Sequence, residues 1–79
     1  MIKITKETVH VNSMAIDLAE YDYANEILDL KFNTGKTYSY IGVPTNTFLS
    51  MKYSESIGKF INKHIIKNNK YEYAFKKEL

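Results

Sequence analysis

Residues Leu28 to Ile41 read as a β-hairpin, and that reading limits what the rest of the chain can do. Leu28, Leu30 and Phe32 alternate with Asp29 and Lys31, the period-two pattern of a strand with one buried face. Asn33-Thr34-Gly35 then supplies turn chemistry, with Gly35 able to take a positive φ after a type I turn. Thr37-Tyr38-Ser39-Tyr40-Ile41 returns as a strand rich in β-branched and aromatic residues. Side chains alternate faces along a strand, so Tyr38 and Tyr40 share one.

Upstream, Val9-His10-Val11-Asn12-Ser13 predicts a short strand and Ile16 to Tyr21 a second extended segment. Asp22 to Glu26 is polar enough for a turn, with a short helical turn also open to it. Downstream, Gly42-Val43-Pro44 ends the sheet run, and Pro44 suits the start of a helix. Thr45 is the expected N-cap of a helix over Asn46 to Tyr53, with Phe48, Leu49 and Met51 partly buried. Ser54-Glu55-Ser56 reads as a second cap region. Ile57, Phe60, Ile61, His64 and Ile65 then fall at the spacing of one helix face, with His64 at the border of the apolar stripe. Asn68-Asn69 reads as a helix stop, and Tyr71, Tyr73 and Phe75 alternate as a final strand or extended arm. Strands followed by helices indicate an α+β class. The expectation is one domain over residues 1–79, with its core about 9–73. It would be a small antiparallel sheet of three to five strands with two short helices packed on one face.

At 79 residues a domain buries only about 60% of the surface its unfolded chain exposes, which leaves little room for a deep enclosed active site. There is no cysteine, which excludes disulfides, thiolate nucleophiles and sulfur-ligated metal. With no apolar leader at Met1 to Lys6 and no run of about 18 apolar residues, a cytoplasmic location and no membrane association are expected. Charge is unevenly spread. Met1 to Leu30 holds two lysines against six acids, and Lys31 to Leu79 nine lysines against three acids. A basic C-terminal part faces phosphate or acidic protein well, and equally keeps a small protein soluble. All eleven basic residues are lysine. Arginine is the usual bidentate reader of guanine, so sequence-specific readout of a DNA major groove is disfavoured.

Several stretches together resemble the KTSC family, named for a domain at the C-terminus of some lysyl-tRNA synthetases. Val11-Asn12-Ser13 looks like its opening and Tyr21-Asp22 like its following tyrosine-aspartate. Leu30-Lys31-Phe32-Asn33-Thr34-Gly35 is similar to its central hairpin. Tyr38-Ser39-Tyr40, followed by Val43-Pro44, looks like the family's paired tyrosine. Ser56-Ile57-Gly58-Lys59-Phe60-Ile61-Asn62-Lys63-His64-Ile65 closely resembles its helical signature, and Lys70-Tyr71-Glu72-Tyr73 its closing segment. Glu20 and Ser54 depart from the family's small residue and alanine. The synthetase association implies RNA binding, and the family's small stand-alone members occur in bacteria and their phages.

The candidate ligand-binding residues are Ser56, Gly58, Lys59, Asn62, Lys63, Lys67, Tyr38, Tyr40 and Tyr71. Lys59, Lys63 and Lys67, four residues apart, form one basic stripe that meets phosphate as point charges. Ser56, Gly58 and Lys59 open the helix. They suit either a phosphate at its amides or a capped helix whose glycine packs on the sheet. This is not a Walker A loop, because Tyr53 and Phe60 stand where that loop needs glycine and Ser/Thr. Tyr38 and Tyr40, and likewise Tyr71 and Tyr73, are either a stacking platform for bases or cover for the core. His10 and His64 have no zinc spacing, so no metal and no cofactor are expected. Asp17, Glu20, Asp22, Glu26 and Asp29 read as a solvated acidic face. No serine has an elbow motif and no side chain is evidently activated, so the expectation is a non-enzymatic module. Its partner would be RNA or a nucleotide. The alternative is a protein-interaction module, either a phage-borne inhibitor of host defence or a homo-oligomeric accessory protein, with Tyr53, Tyr73 and Phe75 as contacts. A third option is capture of a nucleotide signal in an enclosed pocket.

Overall fold

The structure is a computed structural model that describes residues 5–67 and the backbone of 72–76. Its five strands are β1 (Lys6–His10), β2 (Ile16–Asp22), β3 (Ile27–Phe32), β4 (Thr37–Ile41) and β5 (Glu72–Lys76). They form one antiparallel sheet in the order β1-β2-β3-β4-β5. Between β4 and β5 lie helix α1 (Thr45–Lys52) and helix α2 (Ile57–Phe60), the latter running on as a π-type helix over Ile61–Ile66. The chain is therefore α+β, as its element order implied.

The predicted hairpin forms in register, with Leu28 opposite Tyr40 and Leu30 opposite Tyr38. Gly35 takes φ +91° in the turn, where a side chain would be strained. Period-two alternation sends Ala19, Tyr21, Leu28, Leu30 and Tyr40 into the core. Phe48 and Met51 of α1, and Ile61 and Ile65 of the π segment, close that core from the helix side. Alternation leaves Glu20, Asp22, Asp29, Lys31 and Ser39 on the other sheet face.

Two local expectations shift. β1 begins and ends earlier than predicted, because Val11 turns inward with its N–H on the Asp17 carbonyl (3.0 Å) and leaves the strand to join the core. Pro44, not Thr45, is the N-cap of α1, and no side chain caps that helix. His64 stands at the edge of the apolar stripe, exposed but with its ring tilted against Phe60 at 4.5 Å. The cause of its exposure is the wider π turn, which advances less per residue than an α-helix. The fully buried positions therefore recur at Ile61 and Ile65.

Tyr21 ties the sheet to α1. Its hydroxyl donates to the Val43 carbonyl (2.6 Å), and its ring stacks on Phe48 at 4.4 Å and 8°. Burial raises its pKa above the usual tyrosine value. The edge strand β1 is fastened to α1 through Glu7. One carboxylate oxygen accepts from Tyr23 Oη (2.6 Å) and the other pairs with Lys52 Nζ. The Lys52 contact, then the Tyr23 hydrogen bond, lowers the Glu7 pKa below its ordinary 4.5. A depressed carboxylate contributes stability that is present above its unfolded value and lost as pH falls through the folded one. The stability of the wild type should therefore fall as pH drops below 4.5, with a component that is missing in Glu7→Gln. Urea midpoints of both proteins across that range measure the difference, and identical slopes would mean the contact is screened by solvent.

Candidate functional site

The loop from Val11 to Ala15 meets the start of α2 and borders, with the end of the π segment, the larger of two adjoining grooves that described residues line on the helix side. This groove, about 540 Å³, is lined by Asn12, Ser13, Ser56, Gly58, Lys59 and Asn62, with Met14, Phe32 and Ile66 supplying much of its apolar wall. Four candidates from the sequence, Ser56, Gly58, Lys59 and Asn62, therefore do converge. A second groove of about 280 Å³ is lined by Tyr38, Tyr40, Phe32 and Ile66. Phe32 and Ile66 belong to both, so the two grooves adjoin. Lys63 and Lys67 are exposed and line neither. Tyr71 lies outside the described residues.

Two candidates are occupied by structural work. Ser56 Oγ accepts the backbone N–H of Lys59 (3.3 Å), so the hydroxyl caps α2. At Gly58 a Cβ would stand 3.1 Å from Ser13 Cβ and 3.2 Å from Ser13 Oγ. The close approach that glycine permits is thus to Ser13, in the loop between β1 and β2 rather than in the sheet. Tyr40 is 6% exposed and belongs to the core, so its ring does not offer a stacking face. Tyr38 is half-buried, with its ring edge-on to Phe32 at 5.5 Å and 88°.

The loop opposite Gly58 is held from the hairpin turn. Asn33 N–H donates to the Ala15 carbonyl (2.8 Å), the Asn33 side-chain amide donates to the Met14 carbonyl, and Ala15 N–H reaches Ser13 Oγ (3.2 Å). Asn33 read as a turn residue in the sequence, and its positioning role was visible only once the Val11–Ala15 loop lay beside it. A loop so held gives way poorly. Gly58→Ala should gain about 1 kcal/mol of helix propensity and lose about 1–3 kcal/mol to overpacking, for a net loss. Adding Ser13→Gly removes the opposing Cβ but also the Ala15 N–H to Ser13 Oγ bond, so the double variant should recover part of the loss rather than all of it. Urea unfolding of the two variants checks this, and a stabilised single variant would show that the loop yields.

Electrostatically the two faces differ. Among the described residues no carboxylate lines either groove, and none pairs with Lys59, Lys63 or Lys67, all of which are exposed. The opposite sheet face carries a depression lined by Glu20, Asp22 and Asp29 with Lys6 and Ser39. Ser39 Oγ donates to Asp29 Oδ1 (2.6 Å) there. Asp22 has a lowered pKa because Asn25 and Ala24 donate to it. The charge asymmetry along the sequence thus becomes, in part, an asymmetry between faces. No group of three or more His, Asp or Glu among the described residues is placed to hold a metal ion.

Comparison with known families matches residues 12–71 to the KTSC domain. The chain belongs to the KTSC family. A protein of Tsukamurella paurometabola is 46% identical over 52 residues, covering 66% of this chain and 78% of its own. The crystal structure of a KTSC domain protein from Yersinia pestis is similar, with a TM-score of 0.78 at 26% identity, covering 91% of this chain and 99% of that one. In this KTSC domain the Asn12-Ser13 opening, the Phe32-Asn33 hairpin segment and the Ser56–Asn62 helix start, distant in sequence, build one groove.

No helix among the described residues is long and apolar enough to cross a membrane.

Proposed function

We propose that this KTSC domain is a non-enzymatic binding module for single-stranded RNA, engaged through the larger groove and the lysines beside it. The observation that carries this is the position of Lys59. It lines a groove without a carboxylate among the described residues, and it also begins the exposed series Lys59, Lys63, Lys67. Lysines of this kind neutralise backbone phosphates, and the acidic opposite sheet face orients the domain toward a polyanion. The groove's amides and hydroxyls, from Asn12, Ser13 and Asn62, are uncharged partners suited to sugar and phosphate oxygens. The Ser56 hydroxyl is taken by its cap, so the lysines rather than the helix amides carry the charge.

The test is titration of a fluorescent single-stranded RNA from about 50 to 200 mM salt, where affinity should fall with a log–log slope near −0.7 per neutralised phosphate. Absence of binding at the low-salt end overturns the proposal. The rival reading, a protein-interaction module, has Tyr53 in its favour, 75% exposed with Lys52 Nζ 5.3 Å from its ring centroid. Among the described side chains Tyr53 is a single exposed tyrosine, which is ordinary on a protein surface; those of Tyr73 and Phe75 lie outside the described ones, and the lysines decide for RNA.

A further inference from the structure

Resting on the RNA reading above, we infer that the two adjoining grooves divide a single nucleotide of the strand between them. Its phosphate and sugar lie at the Lys59–Asn62 end, and its base lies against Phe32 and Tyr38. The larger groove is polar where Asn12, Lys59 and Asn62 line it and apolar where Phe32 and Ile66 do. The smaller one continues from those same two side chains to Tyr38 and Tyr40. Along its length the combined trough therefore asks for a ligand that is anionic and hydrogen-bonding at one end and apolar at the other.

Ring geometry decides what the apolar end is. Phe32 and Tyr38 meet at 88°, an aromatic corner with the face of one ring beside the edge of the other. A flat heterocycle fills such a corner by stacking on one ring while its rim meets the second, the two arrangements that ring quadrupoles favour. A flexible acyl chain gains nothing from that angle. Any base has a π-face, so the corner does not select among bases, and stacking of this kind serves recognition of single strands. Both grooves are open along one side rather than closed over. That suits one residue of a continuous chain, which must leave the site in both directions, better than a free nucleotide signal that needs enclosure.

The test compares a uridine decamer with an abasic decamer of equal phosphate number, using the full chain. Wild-type protein is expected to bind the uridine strand on the order of tenfold more tightly than the abasic one. Phe32→Leu, which keeps apolar bulk but removes the ring, should bring the ratio of uridine-strand to abasic-strand affinity close to one. Equal binding of the two strands by wild type overturns the inference without any variant, and leaves the phosphate-binding reading standing. If neither strand binds, both fall.

Discussion

Tyr21→Ala is expected to unfold most of the domain at 25 °C. A chain of 79 residues has a stability on the order of 4–12 kcal/mol, and small domains sit low in that range. Truncating a buried aromatic side chain costs about 3–5 kcal/mol. Tyr21 is fully buried, stacks on Phe48 and meets Tyr23 edge-on at 5.1 Å. Removing its ring leaves a cavity between sheet and α1 that two aromatic neighbours cannot fill by small shifts. The Val43 carbonyl also loses its donor at the point where β4 hands over to α1. Tyr21→Phe separates these effects. It keeps the stack and removes only the hydroxyl, at a cost of about 1–3 kcal/mol for an acceptor left unsatisfied. Urea unfolding followed by circular dichroism gives both values. A Tyr21→Ala protein that melts cooperatively near wild type would mean that α1 is anchored elsewhere, and the obvious place would be the Glu7–Lys52 contact.

The sheet was legible in the sequence where local rules and tertiary demands agree. The hairpin from Leu28 to Ile41 has alternation, turn residues and β propensity all pointing one way, and it forms where expected. The strand at the N-terminal edge was harder. Lys6, Thr8 and His10 are exposed and Glu7 and Val9 only half-buried, so β1 carries almost no hydrophobic signal. Val11, which does, belongs to the core without belonging to the strand. His64 is exposed because the widened helix turns it outward, yet its ring still packs on Phe60 at the edge of the stripe. Nothing in a single sequence marks a π turn.

The candidate groove was half legible. Ser56, Gly58, Lys59 and Asn62 stood out because they share one segment. Asn12 and Ser13 did not, since what brings them in is the Val11–Ala15 loop held by Asn33, nor did Phe32 and Ile66, which read only as apolar residues of a strand and a helix. The Asn12-Ser13 pair carried a signal as part of the family resemblance, but not its address. Tyr38 and Tyr40 show the limit of alternation. It places both on one face, yet the helices bury one of them and leave the other half open.

The double change Lys59→Glu with Lys63→Glu should weaken RNA binding severely in a protein that is at least as stable as wild type. Both side chains are exposed, and among the described residues neither has an acidic partner to lose, so the direct stability cost should stay within about 0.5 kcal/mol. Position 59 is the third residue of α2 after its Ser56 cap. A glutamate there completes the reciprocal Ser-x-x-Glu capping box and favours the helix start. Binding should move the other way. Two phosphate contacts are lost and two repulsions gained. At low salt the affinity should drop by on the order of a hundredfold, and the log–log salt slope should become shallower by about 1.4. Thermal melts and RNA titrations on the same samples read both effects. Opposite signs for stability and binding cannot come from partial unfolding, which lowers the two together. A variant that binds RNA as wild type does would exclude these lysines as the phosphate-facing surface, and the groove they border would then have to take an uncharged ligand.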